Sequence, residues 1–509
     1  MGDGVFGAFV VQDPENDPYY ADGQPDSPVA QDLVVGLSDW MRYNSDTVYQ
    51  FVSQFRVDVW PLQHYISFIN GQQDFSFNVS PGSTYRLRIY CATLEFGYRL
   101  FLTGGHRMTV IAADGALVSP TETDFLDIYS GERYDVLIKA DQEIIGTYQL
   151  LANVLTFTGK LKKEVIYASM VYEGGTSDTI QVAANHLEAF RNVDPALTLL
   201  DQYSLVAYRD AATGEFHDGY VPLPGPAKVI GDPWVYTTTS YAVVNERKFK
   251  FMDSWDNHFH HQSFRDPTPL LFLGDNNDLE NFMHEESRAI TVAAYSNASL
   301  THSATLGPRL EFLDLGETID IVFQNAPTSD QALGLFDAFH PMHIHGHSFW
   351  ALAVGAGKFD REVATATGNF MDPPLRDNIV VPPNSWVLVR LRADNPGLWL
   401  MHCHTETHAV FGMMTTLVVG DTANRPSPPE DFPICGRGSV PNSRKGTLQR
   451  SNYLSLYGLQ LLCCVLLASL VASFLFRWWY RRGREVFLPY HRVQMMSRRT
   501  CGNRERRDS

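Results

Sequence analysis

Short hydrophobic runs separated by turn residues fill most of the first 425 residues. The segments 32–40, 68–72, 81–89, 111–115 and 130–136 mix Val, Ile, Leu and Tyr with alternating polar residues. Gly, Pro and Asp separate such runs at roughly ten-residue spacing, which is typical of strands in sandwiches and barrels. Long helical periodicity does not occur before the C-terminal region. The pattern therefore predicts an all-β architecture.

A helix-length apolar run near the C-terminus breaks this pattern. Residues 453–476 are 24 consecutive residues without a charged side chain. A run of this length can span a bilayer hydrocarbon core of about 30 Å as one helix. Trp478, Trp479 and Tyr480 follow among arginines, as in the anchors found at membrane interfaces. We expect one transmembrane helix, preceded by a stalk at 426–452.

Charge divides the chain at this run. The tail 477–509 holds ten arginines and three acidic residues, whereas the whole chain has a net charge of −17, so the other residues carry −24. Basic residues beside a span stay in the cytosol. The region before the span is therefore expected to be extracellular or lumenal, and sequons at Asn78 and Asn297 are compatible with a glycoprotein there. The arginine tail is interpreted as an anionic-lipid contact and not as a nucleic-acid site.

Metal-ligand residues surround one cysteine of the chain. Cys403 lies between His402 and His404 and is followed by His408 and Met413. A copper ion that shuttles electrons takes two imidazoles, one thiolate and a weak axial thioether, because soft sulfur suits Cu(I) and nitrogen suits Cu(II). This segment would supply three of those four ligands.

A second histidine cluster supplies the fourth ligand. Residues 340–347 read HisProMetHisIleHisGlyHis, so His340 can complete the copper site and leave His343 and His345 for another metal. Zinc is the main competitor, but zinc sites usually show paired cysteines or a simpler four-ligand set. A surface tract would explain any single histidine, whereas two dense clusters favour a copper protein.

The spacing around the cysteine predicts two metal centres on one strand. Side chains alternate between the two faces of a strand, so His402 and His404 point one way and Cys403 points the other. The covalent path from the Cys403 sulfur through the backbone to either histidine would be a short route for electrons.

The two motifs, HisProXHisXHisGlyHis and HisCysHisXXXHisXXXXMet, resemble those of the multicopper oxidases, in the laccase and ascorbate oxidase branch. The resemblance implies a type 1 copper held by His340, Cys403 and His408 with Met413 axial. It further implies that His343 binds the type 2 copper. The type 3 pair would be bound by His345, His402 and His404. His347 matches no ligand of the family and is expected to pack nearby.

The resemblance also implies the fold and the domains. Members of this family consist of tandem cupredoxin-like (plastocyanin-like) Greek-key β-sandwich or barrel domains, and the segments that open this section are similar to their second domain. We expect a remnant of a first domain at 1–14, the second domain at 30–175 and a linker at 176–200. The third domain, with the copper ligands, is expected at 200–425, and a basic cytosolic tail at 477–509.

Part of the family pattern is missing from the sequence. Members carry two further HisXHis motifs in their first domain, and the remaining one here, His258-Phe259-His260 followed by His261, is expected to be a surface or loop tract. The type 1 site would be complete, with one of two type 2 histidines and three of six type 3 histidines. Met1 is not followed by a signal peptide. We therefore expect a chain that lacks its natural beginning, whether through a truncated gene model, a splice form or genuine divergence.

Other positions near the motif leave alternatives open. Glu406 is either an outer-shell orienter of the ligands or a solvated carboxylate at a strand end. Thr405 and Thr407 replace a usual Ile and a frequent Trp, changing pocket polarity without removing a ligand. Among the six cysteines no framework of pairs is evident, and Cys435 can pair with Cys91 or with a cysteine outside this chain.

The predicted function is that of a membrane-anchored laccase-like oxidase. For an intact parent protein, the resemblance implies an oxidoreductase that takes one electron at a time from phenolic or aromatic reductants near His408, passes it through Cys403, and reduces O2 to water. In this chain the oxygen-reducing cluster is incomplete, so we expect that last step only if another polypeptide supplies the missing domain. Cys403 and His408 are thus the candidate catalytic residues. A ferroxidase that oxidises Fe(II) is one alternative, and a copper-binding ectodomain without oxygen chemistry is another.

Overall fold

The computed structural model describes a large part of the chain up to Asp421. The described residues are 4–20, 28–40, 66–156, 159–175, 197–217, 220–223, 234–239, 242–244, 247–249, 254–256, 310–325, 338–410 and 413–421. The predicted stalk, membrane span and tail lie outside them, as do His258, His260, His261 and Asn297. Within the described part, no helix has the length and apolar character needed to cross a membrane.

The first sandwich contains eleven strands of the described chain. They are β1 (Gln31–Trp40), β2 (Ile66–Ile69), β3 (Ser76–Val79), β4 (Thr84–Ala92), β5 (Gly97–Leu102), β6 (Met108–Ala113), β7 (Ala116–Thr123), β8 (Phe125–Ile128), β9 (Arg133–Lys139), β10 (Thr147–Leu155) and β11 (Leu161–Tyr172). One sheet has the order β2-β1-β4-β9-β6-β7 and the other β3-β11-β10-β5-β8. β1 pairs with β4 in parallel, so the chain crosses between sheets before it returns.

The second sandwich holds the remaining described strands. They are β12 (Trp234–Thr239), β13 (Ala242–Val244), β14 (Arg247–Phe249), β15 (Ser254–Asp256), β16 (Leu310–Leu313), β17 (Thr318–Asn325), β18 (His340–Ile344), β19 (Phe349–Ala356), β20 (Leu375–Arg376), β21 (Asn378–Val381), β22 (Ser385–Arg392), β23 (Gly397–Cys403) and β24 (Met414–Val419). Its sheets have the orders β15-β12-β17-β22-β19-β20 and β16-β24-β23-β18-β21, and β13 pairs with β14.

Alternating burial explains why these segments are strands. In β9 the side chains of Tyr134, Val136 and Ile138 are buried while their neighbours are partly exposed, which is the period of a sheet with one face on a core. The prediction of a mostly-β fold is confirmed for the described residues. Their α-helices are short: α1 (Arg361–Thr367), capped by the Asp360 carboxylate, and α2 (Glu406–Val410).

Residues 4–14, the described part of the predicted first-domain remnant, contain no strand. Residues 4–20 lie against the first sandwich without joining either sheet. Asp17 accepts a hydrogen bond from the buried Arg86 guanidinium at 2.5 Å, which holds the segment by charge. Several apolar side chains of this segment stay exposed, Phe9 and Val5 among them.

Each sandwich encloses its own apolar core. In the first, the two sheets meet over side chains such as Leu87, Leu100 and Met170. In the second, Phe323, Val389 and Leu417 pack in the same cluster as Cys403 and Met413. The candidate copper ligands therefore belong to the packed interior of the second sandwich.

A buried ionic cluster joins the two sandwiches. Arg376 of β20 donates from Nε to Asp114 Oδ2 at 2.6 Å and from Nη2 to Glu132 Oε1 at 3.1 Å, and all three side chains are fully buried. Burial raises the pKa of Asp114, but Arg376 and Arg133 outweigh burial and hold it below its usual value. Arg133 also forms two hydrogen bonds, of 2.5 and 2.6 Å, to the Asp377 carboxylate. Side chains from both sandwiches thus depend on each other for charge compensation.

Replacing Arg376 should destabilise the protein strongly. Arg376→Leu removes the guanidinium partner of the buried Glu132 and one of the two guanidinium partners of Asp114, and breaking a buried pair typically costs about 3–5 kcal/mol. Arg107→Leu is a matched control, because Arg107 pairs with Glu122 at the surface with both side chains about half exposed or more, and such pairs contribute about 0–1 kcal/mol. Urea denaturation of the full chain measures both. Equal effects of the two substitutions would refute a structural role for the buried cluster.

Candidate metal centre

Pairing of β18 with β23 brings the two histidine motifs together. Met342 lies opposite Cys403, and His343 lies opposite His402 in the antiparallel register. Met342 and Cys403 are buried in the core, whereas His343 and His402 on the other face are partly exposed. The register thus produces the alternation that the spacing predicts, with different ligands on the two faces.

On the core side, three donor atoms converge. His340 Nδ1 lies 3.7 Å from Cys403 Sγ, His408 Nδ1 lies 3.6 Å from it, and the two nitrogens are 3.1 Å apart. The group is the one metal-ligand cluster found by proximity within the described ranges, and its residues are almost completely buried.

This geometry fits a trigonal metal. With metal–nitrogen distances of about 2.0 Å, a metal–sulfur distance of about 2.3 Å and an angle of about 120°, nitrogen and sulfur would be about 3.7 Å apart. The two nitrogen–sulfur separations agree with that value, while the 3.1 Å between the nitrogens corresponds to a smaller nitrogen–metal–nitrogen angle of about 100°. Two imidazoles and one thiolate in a trigonal arrangement are the donors of an electron-transfer copper site, so the residues present fit copper.

The two neighbouring imidazoles also favour deprotonation of Cys403. Burial alone would raise the pKa of Cys403, but hydrogen bonds with His340 and His408 lower it to about 6. The thiolate is the form that binds metals. The two imidazoles therefore favour the sulfur in the state that copper requires.

Backbone hydrogen bonds fix the segment that follows the cysteine. α2 carries His408, and the Met413 N–H donates to the His408 carbonyl at 3.0 Å. The Cys403 N–H in turn donates to the Met413 carbonyl at 3.0 Å. Met413 is fully buried in the core cluster that contains Cys403, and its axial role stays a prediction.

Four more histidines gather on the opposite face. The ring centroids of His343 and His345 are 4.9 Å apart, those of His345 and His402 are 5.2 Å apart, and those of His402 and His404 are 5.6 Å apart. The Nε2 atoms of His345 and His402 are 3.1 Å apart. His343 and His404 also line an open cavity of about 410 Å³ together with Phe6. All seven histidine and cysteine residues predicted as ligands are therefore brought into two neighbouring groups.

In two of these histidines, a backbone carbonyl determines which ring nitrogen is protonated and which is available to a metal. His343 Nδ1 lies 2.7 Å from the Asp377 carbonyl, and His402 Nδ1 lies 2.8 Å from the Cys403 carbonyl. Because a carbonyl can only accept, both Nδ1 atoms carry the proton and both Nε2 atoms keep a lone pair for a metal. Carbonyl partners of this kind are usual for metal-binding histidines.

Burial favours the neutral form of three of these histidines, His345, His402 and His404. Burial, and then the neighbouring His343, lowers the pKa of His402 to about 3 and that of His345 to about 4. Burial lowers the pKa of His404 well below its usual value, with His402 adding to the effect. Neutral imidazole is the form that binds metals. Which of these histidines serve a type 2 or a type 3 copper stays a prediction from the resemblance.

Glycine is required in the bend of the first motif. Gly346 has a φ of 67°, in the left-handed region, and a Cβ there would overlap the ring of Trp399. His347, the histidine without a predicted ligand role, packs edge-on against the same Trp399 ring and is buried. The bend after His345 thus depends on the close approach of an indole.

The helix that carries His408 docks on the first sandwich. The Glu406 N–H donates to the Leu94 carbonyl at 3.0 Å, and the Leu94 N–H donates to the Asp39 carboxylate at 3.0 Å. Burial raises the pKa of Asp39 to about 7, and Glu406 adds to the effect. Glu406 is partly exposed at the start of α2, three residues beyond the end of β23, and both alternatives for its role stay predictions. Thr405 is buried beside it.

Sequence reasoning missed the residues that hold the ligands. Ser130 and Gly131 of the first sandwich contact His404, and Asp377 contacts His343. Ser130 and Gly131 begin the run SerGlyGluArgTyrAspVal, which the resemblance assigns to the second domain without a role at the metal site. A serine and a glycine in a turn between strands gave no signal of their own.

Comparisons with known proteins agree with these features. The family model described as Multicopper oxidase matches residues 31–175, and a second model with the same description matches residues 275–423. L-ascorbate oxidase from Cucurbita pepo var. melopepo is 28% identical over 459 residues, covering 82% of this chain and 74% of that protein. Laccase-14 from Arabidopsis thaliana is 28% identical over 380 residues, covering 71% and 62%.

A solved structure shares the fold. The crystal structure of Fet3p, a multicopper oxidase that functions in iron import, superposes with a TM-score of 0.54 at 20% identity, covering 78% of this chain and 67% of that one. The cupredoxin-like fold predicted from the resemblance is thereby supported. The chain spans 60% of the length of a rice laccase and 62% of that of Laccase-14.

Substituting each of the two buried cysteines, Cys403 and Cys91, should show which one binds copper. In Cys403→Ser we expect the intense blue thiolate-to-copper absorption to disappear and the copper content to fall by about one ion per chain, because oxygen replaces the soft ligand. Cys91, buried in the first sandwich beside Thr93, is the matched control. Cys91→Ala should keep the band. Absorption spectra and copper analysis would contradict the assignment if Cys403→Ser stayed blue.

Proposed function

Because the chain belongs to the multicopper oxidase family, we propose that it is a membrane-anchored, laccase-like enzyme that oxidises phenolic or other aromatic reductants one electron at a time and transfers the electrons to O2. The observation that carries this proposal is the arrangement on β23. Cys403 faces the core with His340 and His408, while its direct neighbours His402 and His404 face a separate histidine group. The metal site that would donate electrons and the histidine group that would accept them are thus joined by a few covalent bonds.

The residues of the chain have distinct tasks in this activity. Copper, when bound, would supply the one-electron chemistry and the reduction of O2. His340, Cys403 and His408 hold their donor atoms in place inside a packed core, where water is excluded and the ligands cannot rearrange freely. The backbone on either side of Cys403 leads directly to the imidazoles of His402 and His404.

The position of His408 favours it as the point where electrons arrive. His340 is the first residue of β18 and Cys403 the last residue of β23, whereas His408 lies on the short helix α2 beyond the end of β23. Of the three ligands, His408 is therefore the one carried by a connecting segment. Connecting segments between strands are where binding residues are concentrated in rigid β scaffolds.

Membrane anchoring and topology are part of the proposal and rest on the sequence. The uncharged run 453–476, followed by basic residues, supports a single span with the copper domains extracellular or lumenal and the tail cytosolic. Asn78 adds a structural argument, because its side chain is exposed on the outer face of the edge strand β3. A sequon there is accessible to glycosylation in a secretory compartment.

Oxygen uptake by the copper-loaded full chain in detergent tests the proposed reaction. Because the family pattern gives this chain one of two type 2 histidines and three of six type 3 histidines, we expect uptake with a catechol or a methoxyphenol when a polypeptide carrying the two missing HisXHis motifs is added, and none in Cys403→Ser. Uptake with Fe(II) but with no phenol would replace the proposal by a ferroxidase. A chain that holds one blue copper and consumes no O2 with either reductant would instead be a copper-binding protein without oxygen chemistry.

Glycosylation of Asn78 tests the topology. When the chain is produced in a eukaryotic secretory host, endoglycosidase should increase its electrophoretic mobility, and Asn78→Gln should remove one glycan. Ser80→Ala is the second variant, because it destroys the sequon and keeps Asn78. Asn70→Gln would not serve as a control substitution of another asparagine, because the Asn70 side chain accepts a hydrogen bond from the Gly36 N–H. A chain without any glycan at Asn78 would contradict the proposed orientation.

A further inference from the structure

One turn of the first sandwich lies directly against a histidine of the second. The turn between β8 and β9, residues 129–132, carries Ser130, whose Oγ lies 3.1 Å from His404 Nδ1. The contact therefore links the first sandwich to one imidazole of the cluster.

The direction of this hydrogen bond follows from a third group. The Ser130 hydroxyl has a single proton, and Oγ lies 2.5 Å from the Thr93 carbonyl, which can only accept. The proton is therefore donated to Thr93, and Ser130 Oγ must accept from His404 Nδ1. His404 is then protonated on Nδ1 and retains a lone pair on Nε2, as in His343 and His402.

The next residue determines how closely the turn approaches. Gly131 has a φ of 81°, and a Cβ at this position would overlap Cδ2 and Cγ of the His404 ring and the amide nitrogen of Asn378. The backbone of the turn thus forms one wall of the space in which the imidazole lies. A side chain there would have to displace the ring.

Several contacts hold the turn rigidly in place. The Gly131 N–H donates to the Cys91 carbonyl at 2.8 Å, and the Tyr129 N–H donates to the buried Glu132 carboxylate at 2.8 Å. Glu132 also accepts from Arg376 of the second sandwich. From that side, the Asn378 amide donates to the Ser130 carbonyl at 3.1 Å. The turn is thereby anchored to both sandwiches.

We propose that Ser130 and Gly131 are positioning residues for His404, fixing its tautomer and its ring plane so that Nε2 is the nitrogen presented to the metal. This inference rests on the proposed function, because it requires His404 to bind a metal. The histidines of the cluster belong to the third cupredoxin domain. The inference means that a turn of the second domain orients one of them. Partners of a ligand's second nitrogen typically change metal affinity by about 10–100-fold.

Two glycine variants separate ring placement from backbone strain. Gly131→Ala and Gly115→Ala both place alanine in the left-handed region, at φ 81° and 87°, but a Cβ at Gly115 meets nothing within 4 Å. The full chain is loaded with Cu²⁺, and copper in excess of the blue site is measured by metal analysis and electron paramagnetic resonance. Gly131→Ala should lose this copper and keep the blue band, while Gly115→Ala should keep both. Equal loss in the two variants would overturn the proposal.

Serine variants test the hydrogen bond itself. Ser130→Ala should weaken Cu²⁺ binding outside the blue site by about 10–100-fold, and Ser130→Thr, which retains the hydroxyl, should restore most of it. The blue band reports that the second sandwich is folded in every variant. Wild-type affinity in Ser130→Ala would refute the role of the hydroxyl.

His404→Ala distinguishes failure of this inference from failure of the proposed function. If His404→Ala leaves the copper outside the blue site unchanged, His404 is not a ligand, and both the inference and the proposed cluster are overturned. If His404→Ala loses that copper while Ser130→Ala and Gly131→Ala retain it, only the positioning role is overturned.

Discussion

The buried Cys403 site and the partly exposed histidine group depend on the same pairing of strands β18 and β23. The pairing of Met342 with Cys403 and of His343 with His402 means that any shift of β23 by one residue would exchange the core face and the histidine face. The sulfur would leave the interior and an imidazole would enter it. Core packing and metal chemistry therefore demand the same register, so the apolar residues around Cys403 stabilise the site as well as the fold.

The ionic contacts between the sandwiches extend this constraint beyond the ladder. Arg133 of the first sandwich donates to the Asp377 carboxylate, and the Asp377 carbonyl accepts a hydrogen bond from the Nδ1–H of His343. Asp114 accepts from the N–H of Asn378, the next residue. Groups from the first sandwich thus reach the histidines through one short segment of the second. A change of charge at this interface would be transmitted to the ligands as a displacement.

The features of the site that depend on local spacing could be predicted from the sequence. The HisCysHis run implied opposite faces because alternation is a property of any strand, and the structure shows that alternation around Cys403. Contacts between residues far apart in the chain were not accessible in this way. Ser130 and His404 are separated by 274 positions, and their contact depends on how two sandwiches dock, which no period within a segment encodes. Glu406 could not be assigned for the same reason, since its environment includes Leu94 of the first sandwich.

Metal binding and folding are coupled by the burial of the ligands. Cys403 and His340 lie in the centre of the second core, where a polar group without a partner is costly. In the folded chain the Cys403 sulfur lies 3.7 and 3.6 Å from the Nδ1 atoms of His340 and His408, so the donor set is already assembled by packing. A metal that binds only this assembled set stabilises the folded state by RT ln(1 + [L]/Kd), about 2.7 kcal/mol at a hundred times Kd. Copper would therefore contribute to the stability of the same core whose packing creates its site.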